Sequence, residues 1–383
     1  MDLEFSTRAG AAQRGASSGL SRRDFVKGCL TAAAAVGLSG RAAAQVVDAA
    51  AAGTRASVIW LSAQSCGGCG ASLMHAVDPD LTELMLDAVA FEYAPMLDAS
   101  TGASARATLD AAVARARGRY VLVVDGSIPH DERHCLDGGI ATSSVVQTVG
   151  ASAAAVIALG SCAGWGGVVA ATGGETGAGG IDRLVAGRPL VRLPGCPPSP
   201  AVLLGTLLQF AALGTLPRLD AEKRPAFAYA RTVHELCPRR PEFDAGHFVK
   251  TIGDDGHRKG YCLYELGCKG PSTHASCPGA AYNGVAGAWP VGVGHPCIGC
   301  ASEKVGFRTA SAELSRIERP TPAAGPIETE EVSGAVNPLA TGVAGLVGGI
   351  LAGAAWFAAR RLETVADPDG LDEKQVRGRG REQ

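Results

Sequence analysis

Ser57-Val-Ile-Trp-Leu61, followed by Ser62-Ala-Gln-Ser-Cys66-Gly-Gly-Cys69, sets the pattern from which the architecture of the chain can be inferred. A short apolar run that stops at a loop bearing glycine and either cysteine or an acid recurs three more times. Tyr120 to Val124 runs into Asp125-Gly126, Ala155 to Leu159 into Gly160-Ser-Cys162, and Leu190 to Leu193 into Pro194-Gly-Cys196. Such runs, separated by helix-length segments, predict an α/β fold with a parallel sheet covered by helices on both faces. In such sheets ligands sit beyond the carboxyl ends of the strands. That rule sets Cys66, Cys69, Asp125, Cys162 and Cys196 along one rim, although they are far apart in sequence.

Outward from this core the character of the chain changes. After about Arg218 it becomes rich in Pro, Gly and Cys and weakly periodic. A domain boundary is predicted there: an α/β domain over 55–217, then an irregular domain over 218–319 that needs metal centres to fold, since metal binding energy is also folding energy. A length of 383 residues accommodates both. A formal charge of -2, with no basic stripe interleaved with aromatics, excludes nucleic acid as a partner. Gly, at 52 residues, is about twice as frequent as usual, which suits loops whose backbone approaches a bulky inorganic group. A Gly/Ala-rich genome would give the same excess.

The two ends agree on one topology. Ser21-Arg-Arg-Asp-Phe-Val-Lys27, an apolar stretch from Gly28 to Leu38 and a small-residue site at Ala42-Ala43-Ala44 read as a twin-arginine export signal over 1–44, which contains Cys29. That route moves folded proteins, so metal can be inserted before export by the twin-arginine translocase. Residues 320–338 form a linker, and Leu339 to Ala359 is uncharged, long enough at about 1.5 Å per residue to cross a bilayer core of about 30 Å. One transmembrane helix is predicted over 339–359. Arg360, Arg361, Lys374, Arg377, Arg379 and Arg381 in the tail 360–383 place that tail in the cytoplasm and the body on the periplasmic side of the cell membrane. Gly345, Gly349 and Gly353 bare one helix face for a membrane partner.

Ten of the remaining eleven cysteines and one histidine fall into three sets. The first is Cys66 and Cys69, Cys162 in Leu-Gly-Ser-Cys-Ala-Gly, and Cys196 in Pro-Gly-Cys-Pro-Pro. Alone, Cys-x-x-Cys also fits a redox dithiol or half of a zinc site; four thiolates on strand-end loops suit a cubane iron-sulfur cluster. The second is His234-x-x-Cys237 with Cys262 and Cys268. An imidazole in place of one thiolate makes the set less negative and suits a cluster near the surface. The third is Cys277, Cys297 and Cys300, whose three thiolates suit a 3Fe-4S cluster, with Pro290 where a fourth ligand is expected. Cys135 fits no set and reads as a structural thiol. His75, His247 and His257 read as surface or packing residues.

In these motifs the chain resembles the small subunit of a membrane-bound, respiratory uptake NiFe hydrogenase, from signal to membrane helix. The resemblance implies a flavodoxin-like first domain. It also implies a proximal 4Fe-4S cluster on Cys66, Cys69, Cys162 and Cys196, a medial 3Fe-4S cluster on Cys277, Cys297 and Cys300, and a distal 4Fe-4S cluster on His234, Cys237, Cys262 and Cys268. The Ni-Fe centre is implied to reside in a partner large subunit, because both Cys-x-x-Cys motifs here already belong to the cluster sets. Electrons from hydrogen are implied to pass through the three clusters to a membrane cytochrome b and quinone.

Three departures from the family pattern stand out. Gly70 and Ala71 follow Cys69 where many relatives have Ser-Glu, and Asp125 replaces a Glu. Gly68 and Gly167 match positions at which oxygen-tolerant relatives carry extra cysteines, so an ordinary proximal cluster and oxygen sensitivity are expected. Two other readings compete. The cluster subunit of another quinone-reducing oxidoreductase typically shows adjacent cysteines, and no Cys-Cys pair occurs here. An anchored, disulfide-stabilised binding protein conflicts with the odd number of cysteines after the signal.

Overall fold

Alternation along the strands dictates the layering. The computed structural model describes residues 55–317, apart from 77–80, 84, 86–88, 172–173, 281, 283–284 and 286. The predicted signal, linker, transmembrane helix and tail therefore lie outside the described residues. Among the described residues no helix is long and apolar enough to cross a membrane.

Strands β1 (Ala56–Ser62), β2 (Val89–Tyr93) and β3 (Val121–Asp125) are followed by a two-stranded hairpin, β4 (Leu136–Asp137) and β5 (Ile140–Ala141), and then by β6 (Ala155–Leu159) and β7 (Leu190–Leu193). Five of these form one sheet in the order β2-β1-β3-β6-β7. Every pairing in it is parallel. Counting only these five, the order is 2-1-3-4-5, the doubly wound order of flavodoxin-type sheets. The four strands expected from sequence are present within a residue. The added strand, β2, is an edge strand that ends at Ala94-Pro95 without glycine or cysteine.

Successive side chains point to opposite faces of a strand, and two cores result. Val58, Trp60, Val121, Val123, Ile157, Leu159, Val191 and Leu193 pack on one side, together with Val202, Leu203 and Leu207 of the helix Pro200–Leu213. Ile59, Leu61, Leu122, Val124, Val156 and Ala158 pack on the other, with Leu109 and Ala112 of the helix Gly102–Ala116 and Val145 and Val149 of the helix Thr142–Gly150. Each such fully buried aliphatic side chain contributes about 1.5–3 kcal/mol.

The chain after Arg218 is made of helical pieces of three to five residues and loops. The first core nevertheless continues into it through Tyr229, Val233, Val249, Leu263, Trp289, Val291, Cys297 and Ala301. The change in composition near Arg218 marks a change in regularity, and the apolar packing runs on through it.

Candidate iron-sulfur sites

Register decides where the first set sits. Ser62 pairs with Asp125, Asp125 with Leu159 and Leu159 with Leu193, so four strands end on one line. The loops leaving that line carry Cys66 and Cys69, Cys162 and Cys196. Gly67, at φ 77°, makes the left-handed turn that starts the helix Gly68–Met74 and places Cys69 in its first turn. Cys162 lies in the helix Gly160–Trp165. Burial, then Asp125, then Cys162, Cys196 and Cys66 push the Cys69 thiol up. Cys162 is raised by burial and by Cys196 and Cys66, and Cys196 by burial and Cys66. All four thiols therefore lie within electrostatic reach of one another. Asp125 is 1 % exposed. Its carboxylate accepts from Trp60 Nε1 at 3.1 Å and Ser65 Oγ at 2.6 Å.

The backbone leaves room around these sulfurs only because side chains are missing. A Cβ on Gly160 would sit 2.6 Å from Cys69 Sγ, and one on Gly167 would sit 2.7 Å from Cys162 Sγ. At Gly68 the distance to Cys66 Sγ would be 3.3 Å.

The second set forms around a short helix, Val233–Leu236, fixed by a capping box in which Glu235 N donates to Thr232 Oγ1 at 3.1 Å and Thr232 N to Glu235 Oε2 at 2.6 Å. His234, Cys237, Cys262 and Cys268 line one cavity, with Arg239, Val233 and Val291. His234 is 7 % exposed, because Phe243 meets its ring edge-on at 4.6 Å between centroids. Burial pulls its pKa down to about 4, and among the described residues its buried Nε2 has no hydrogen-bond partner. A neutral imidazole with an orphaned ring nitrogen, facing three thiols, is a donor set that fits metal. Burial pushes Cys262 up to about 12 and raises Cys237 and Cys268 as well.

The third set lies between the other two. Cys300 is pushed up to about 12 by burial and Cys277, and it also feels Cys196 of the first set, whose backbone N–H bonds to it. Ser161 Oγ donates to the Cys300 carbonyl and accepts from Gly195 N at 3.1 Å, tying the first-set loops to the third. On the other side the Cys297 N–H donates to Cys268 Sγ at 3.3 Å. Cys297 is raised far above its ordinary value by burial, then by Cys268, Cys300 and Cys277. Pro290 accepts from His295 N at 2.8 Å through its carbonyl and offers no side-chain donor atom. The bridging roles of Ser161, Cys196 N and Cys297 N carry no sequence signal, since each needs loops from distant segments to dock.

The remaining candidates have local partners. Cys135 Sγ donates to Thr142 Oγ1 at 3.4 Å beside the hairpin. His75 bonds Ala71 O and His257 bonds Gly294 O, each at 2.8 Å, and His247 pairs with Glu242 at 2.9 Å. All eleven cysteines among the described residues are free thiols.

An α/β sheet with cysteine-bearing loops on its rim, continuous with a cysteine-rich irregular region, defines an iron-sulfur electron-transfer protein. Residues 229–312 match the family described as the C-terminal part of the NiFe/NiFeSe hydrogenase small subunit. Residues 66–210 match the family described as NADH ubiquinone oxidoreductase, 20 Kd subunit. The Hydrogenase-2 small chain of Escherichia coli K12 is 41 % identical over 361 residues, 94 % of this chain and 97 % of that one. The quinone-reactive Ni/Fe-hydrogenase small chain of Wolinella succinogenes is 40 % identical over 74 % of this chain and 80 % of its own. Among solved structures, the reduced, active Ni-Fe-Se hydrogenase of Desulfomicrobium baculatum superposes with a TM-score of 0.61 at 32 % identity, over 65 % of this chain and 94 % of that one. The chain belongs to the NiFe hydrogenase small-subunit family. It is the electron-transfer small subunit of a hydrogenase.

Proposed function

We propose that this chain conducts electrons from hydrogen oxidation in a partner large subunit, which holds the Ni-Fe centre, to a membrane cytochrome b and quinone. In this reading Cys66, Cys69, Cys162 and Cys196 hold a proximal 4Fe-4S cluster. Cys277, Cys297 and Cys300 hold a medial 3Fe-4S cluster, and His234, Cys237, Cys262 and Cys268 a distal 4Fe-4S cluster. Clusters of these kinds, when bound, take up and release single electrons.

The observation that carries the reading is the chain of contacts between the sets. Cys300 stands against Cys196, and Cys297 N–H bonds Cys268 Sγ. The third set thus bridges the first and second. A cubane separates its thiolates more widely than one ion does, and among the described residues no three His, Cys, Asp or Glu groups converge on a single-ion site. Burial favours the protonated form of Cys69, Cys262, Cys297 and Cys300, so metal uptake displaces their protons. Cys66 and Cys196 are exposed, which suits a first set covered by the large subunit.

The remaining parts of the reading rest on the ends of the sequence. The twin-arginine signal and the 339–359 segment give a membrane-anchored protein with its body in the periplasm and its tail in the cytoplasm. The glycines at 68 and 167 give an ordinary proximal cluster and an enzyme inactivated by oxygen.

The test is hydrogen-dependent dye reduction by the complex captured from anaerobic membranes through a tag on this chain. Activity with a nickel-containing second subunit is expected. An iron-loaded but inactive chain without nickel would assign it to another dehydrogenase.

A further inference from the structure

Tyr282 stands beside the third set without a part in holding it. It follows the 3-10 turn Cys277–Gly279 and packs, partly buried, against the core shared by the sheet and the cluster region. Its hydroxyl lies 3.7 Å from Cys277 Sγ, and among the described residues that sulfur is its hydrogen-bond partner. Other candidate ligands take backbone amides as donors, as Cys268 Sγ does from Cys297 N at 3.3 Å. A side-chain donor distinguishes Cys277 from these.

Chemistry fixes the direction of the bond. A free thiol and a phenol can each donate, but a thiolate bound to metal has no proton, so the phenol must donate to the sulfur. A phenol ordinarily loses its proton only near pH 10, so at neutral pH the hydroxyl has a proton to give. Tyr229 provides an internal comparison. It also feels Cys277 and Cys300, yet its hydroxyl donates to Pro194 O at 2.8 Å and is spent there.

We infer that Tyr282 is a positioning residue that raises the reduction potential of the medial cluster by donating a hydrogen bond from its hydroxyl to the Cys277 thiolate. Reduction adds negative charge that is shared with the ligand sulfurs, and a donor aimed at one of them favours the reduced state. In apolar surroundings that preference is weakly screened. The inference rests on the assignment of Cys277, Cys297 and Cys300 to a 3Fe-4S cluster.

The experiment is a redox titration of the 3Fe-4S electron paramagnetic resonance signal in the purified complex of large and small subunits. Tyr282→Phe removes only the hydroxyl and is expected to shift the midpoint to a more negative value. At fixed poise the oxidised-to-reduced ratio should change on the order of threefold to tenfold, the worth of one hydrogen bond. Tyr229→Phe should leave the midpoint in place. A full-strength signal with an unchanged midpoint in Tyr282→Phe overturns the inference, and so does an equal shift in both variants. Should Tyr282→Phe lose signal, Tyr282→Met is titrated on the fraction that retains the cluster, with the same shift expected and no shift again overturning the inference. Cys277→Ser separates the two levels of the argument: an unaltered 3Fe-4S signal there removes the ligand assignment itself.

Discussion

Gly160 tests whether the first set is built by close approach of backbone to sulfur. It starts the helix that carries Cys162, at φ 82°, and a Cβ there would lie 2.6 Å from Cys69 Sγ and 3.6 Å from Gly195 O. In Gly160→Ala the left-handed backbone costs about 1–2 kcal/mol, and forcing a methyl into packed surroundings adds about 1–3 kcal/mol. Against a typical stability of about 5–15 kcal/mol, the fold survives that sum. Cys69 cannot retreat, because its helix is anchored by Leu73 in the core and by Ser72 Oγ bonded to Pro198 O at 3.3 Å. The strain is therefore relieved by moving a candidate ligand. Gly187 supplies the control: its φ is also 82°, but nothing lies within 4 Å of its added Cβ. Gly187→Ala should show the backbone cost alone and retain full metal. Iron analysis and electron paramagnetic resonance of the captured complex should show Gly160→Ala losing roughly four of eleven irons, those of the four-cysteine set. Equal iron in the two variants would refute the close-approach argument.

Asp125→Ala strands the buried Trp60 N–H and should cost about 2–4 kcal/mol, whereas Asp125→Asn keeps an acceptor and should cost about 1 kcal/mol; thermal unfolding of the complex compares them. Burial lowers the His234 pKa from 6.5 to about 4, so the stability gained by keeping it neutral is complete above pH 6.5 and is lost as pH falls through 4. Without metal, the chain should accordingly unfold more readily as pH falls from 6.5 towards 4, as followed by circular dichroism, and a stability unchanged over that window would contradict a buried neutral imidazole. Cys135→Ser should change neither iron content nor hydrogen oxidation, since among the described residues Cys135 bonds within its own hairpin region. Hydrogen oxidation should cease under air, and persistence measured with a hydrogen electrode would remove the oxygen-sensitivity reading of Gly68 and Gly167.

What the sequence disclosed follows from burial. β3 and β6 are buried at every position, so they appear as unbroken apolar runs. β2 is half-exposed along its middle and carries Glu92, which bonds Ser57 Oγ at 3.0 Å and Arg115 Nε at 3.1 Å, and it lacks the terminal glycine loop that marks the others. The hairpin strands are two residues long, joined by Gly138 and Gly139 at positive φ, too short for any period to register. Spacing sorted the cysteines, because ligand loops keep local signatures. Contacts between sets arise only when those loops dock, so Ser161 carries no local signature. The burial of His234 likewise comes from docking, since Phe243 encloses it from a neighbouring helix.

Glycine abundance has two separate physical causes here. Gly187, Gly214, Gly246 and Gly253 have positive φ and open space around the added Cβ, so they serve turns. Gly160 and Gly167 combine positive φ with a thiol under 3 Å from the added Cβ, so they serve the site. Composition alone merges the two groups. The site group lies in loops rooted on the line of strand ends, while the third and second sets hang from the same core through Cys297, Ala301 and Leu263. Interiors packed to that density do not deform continuously. The spacing of the three sets is thus a property of one core, and a conductor whose centres must stay within short reach of each other gains from having no hinge between them.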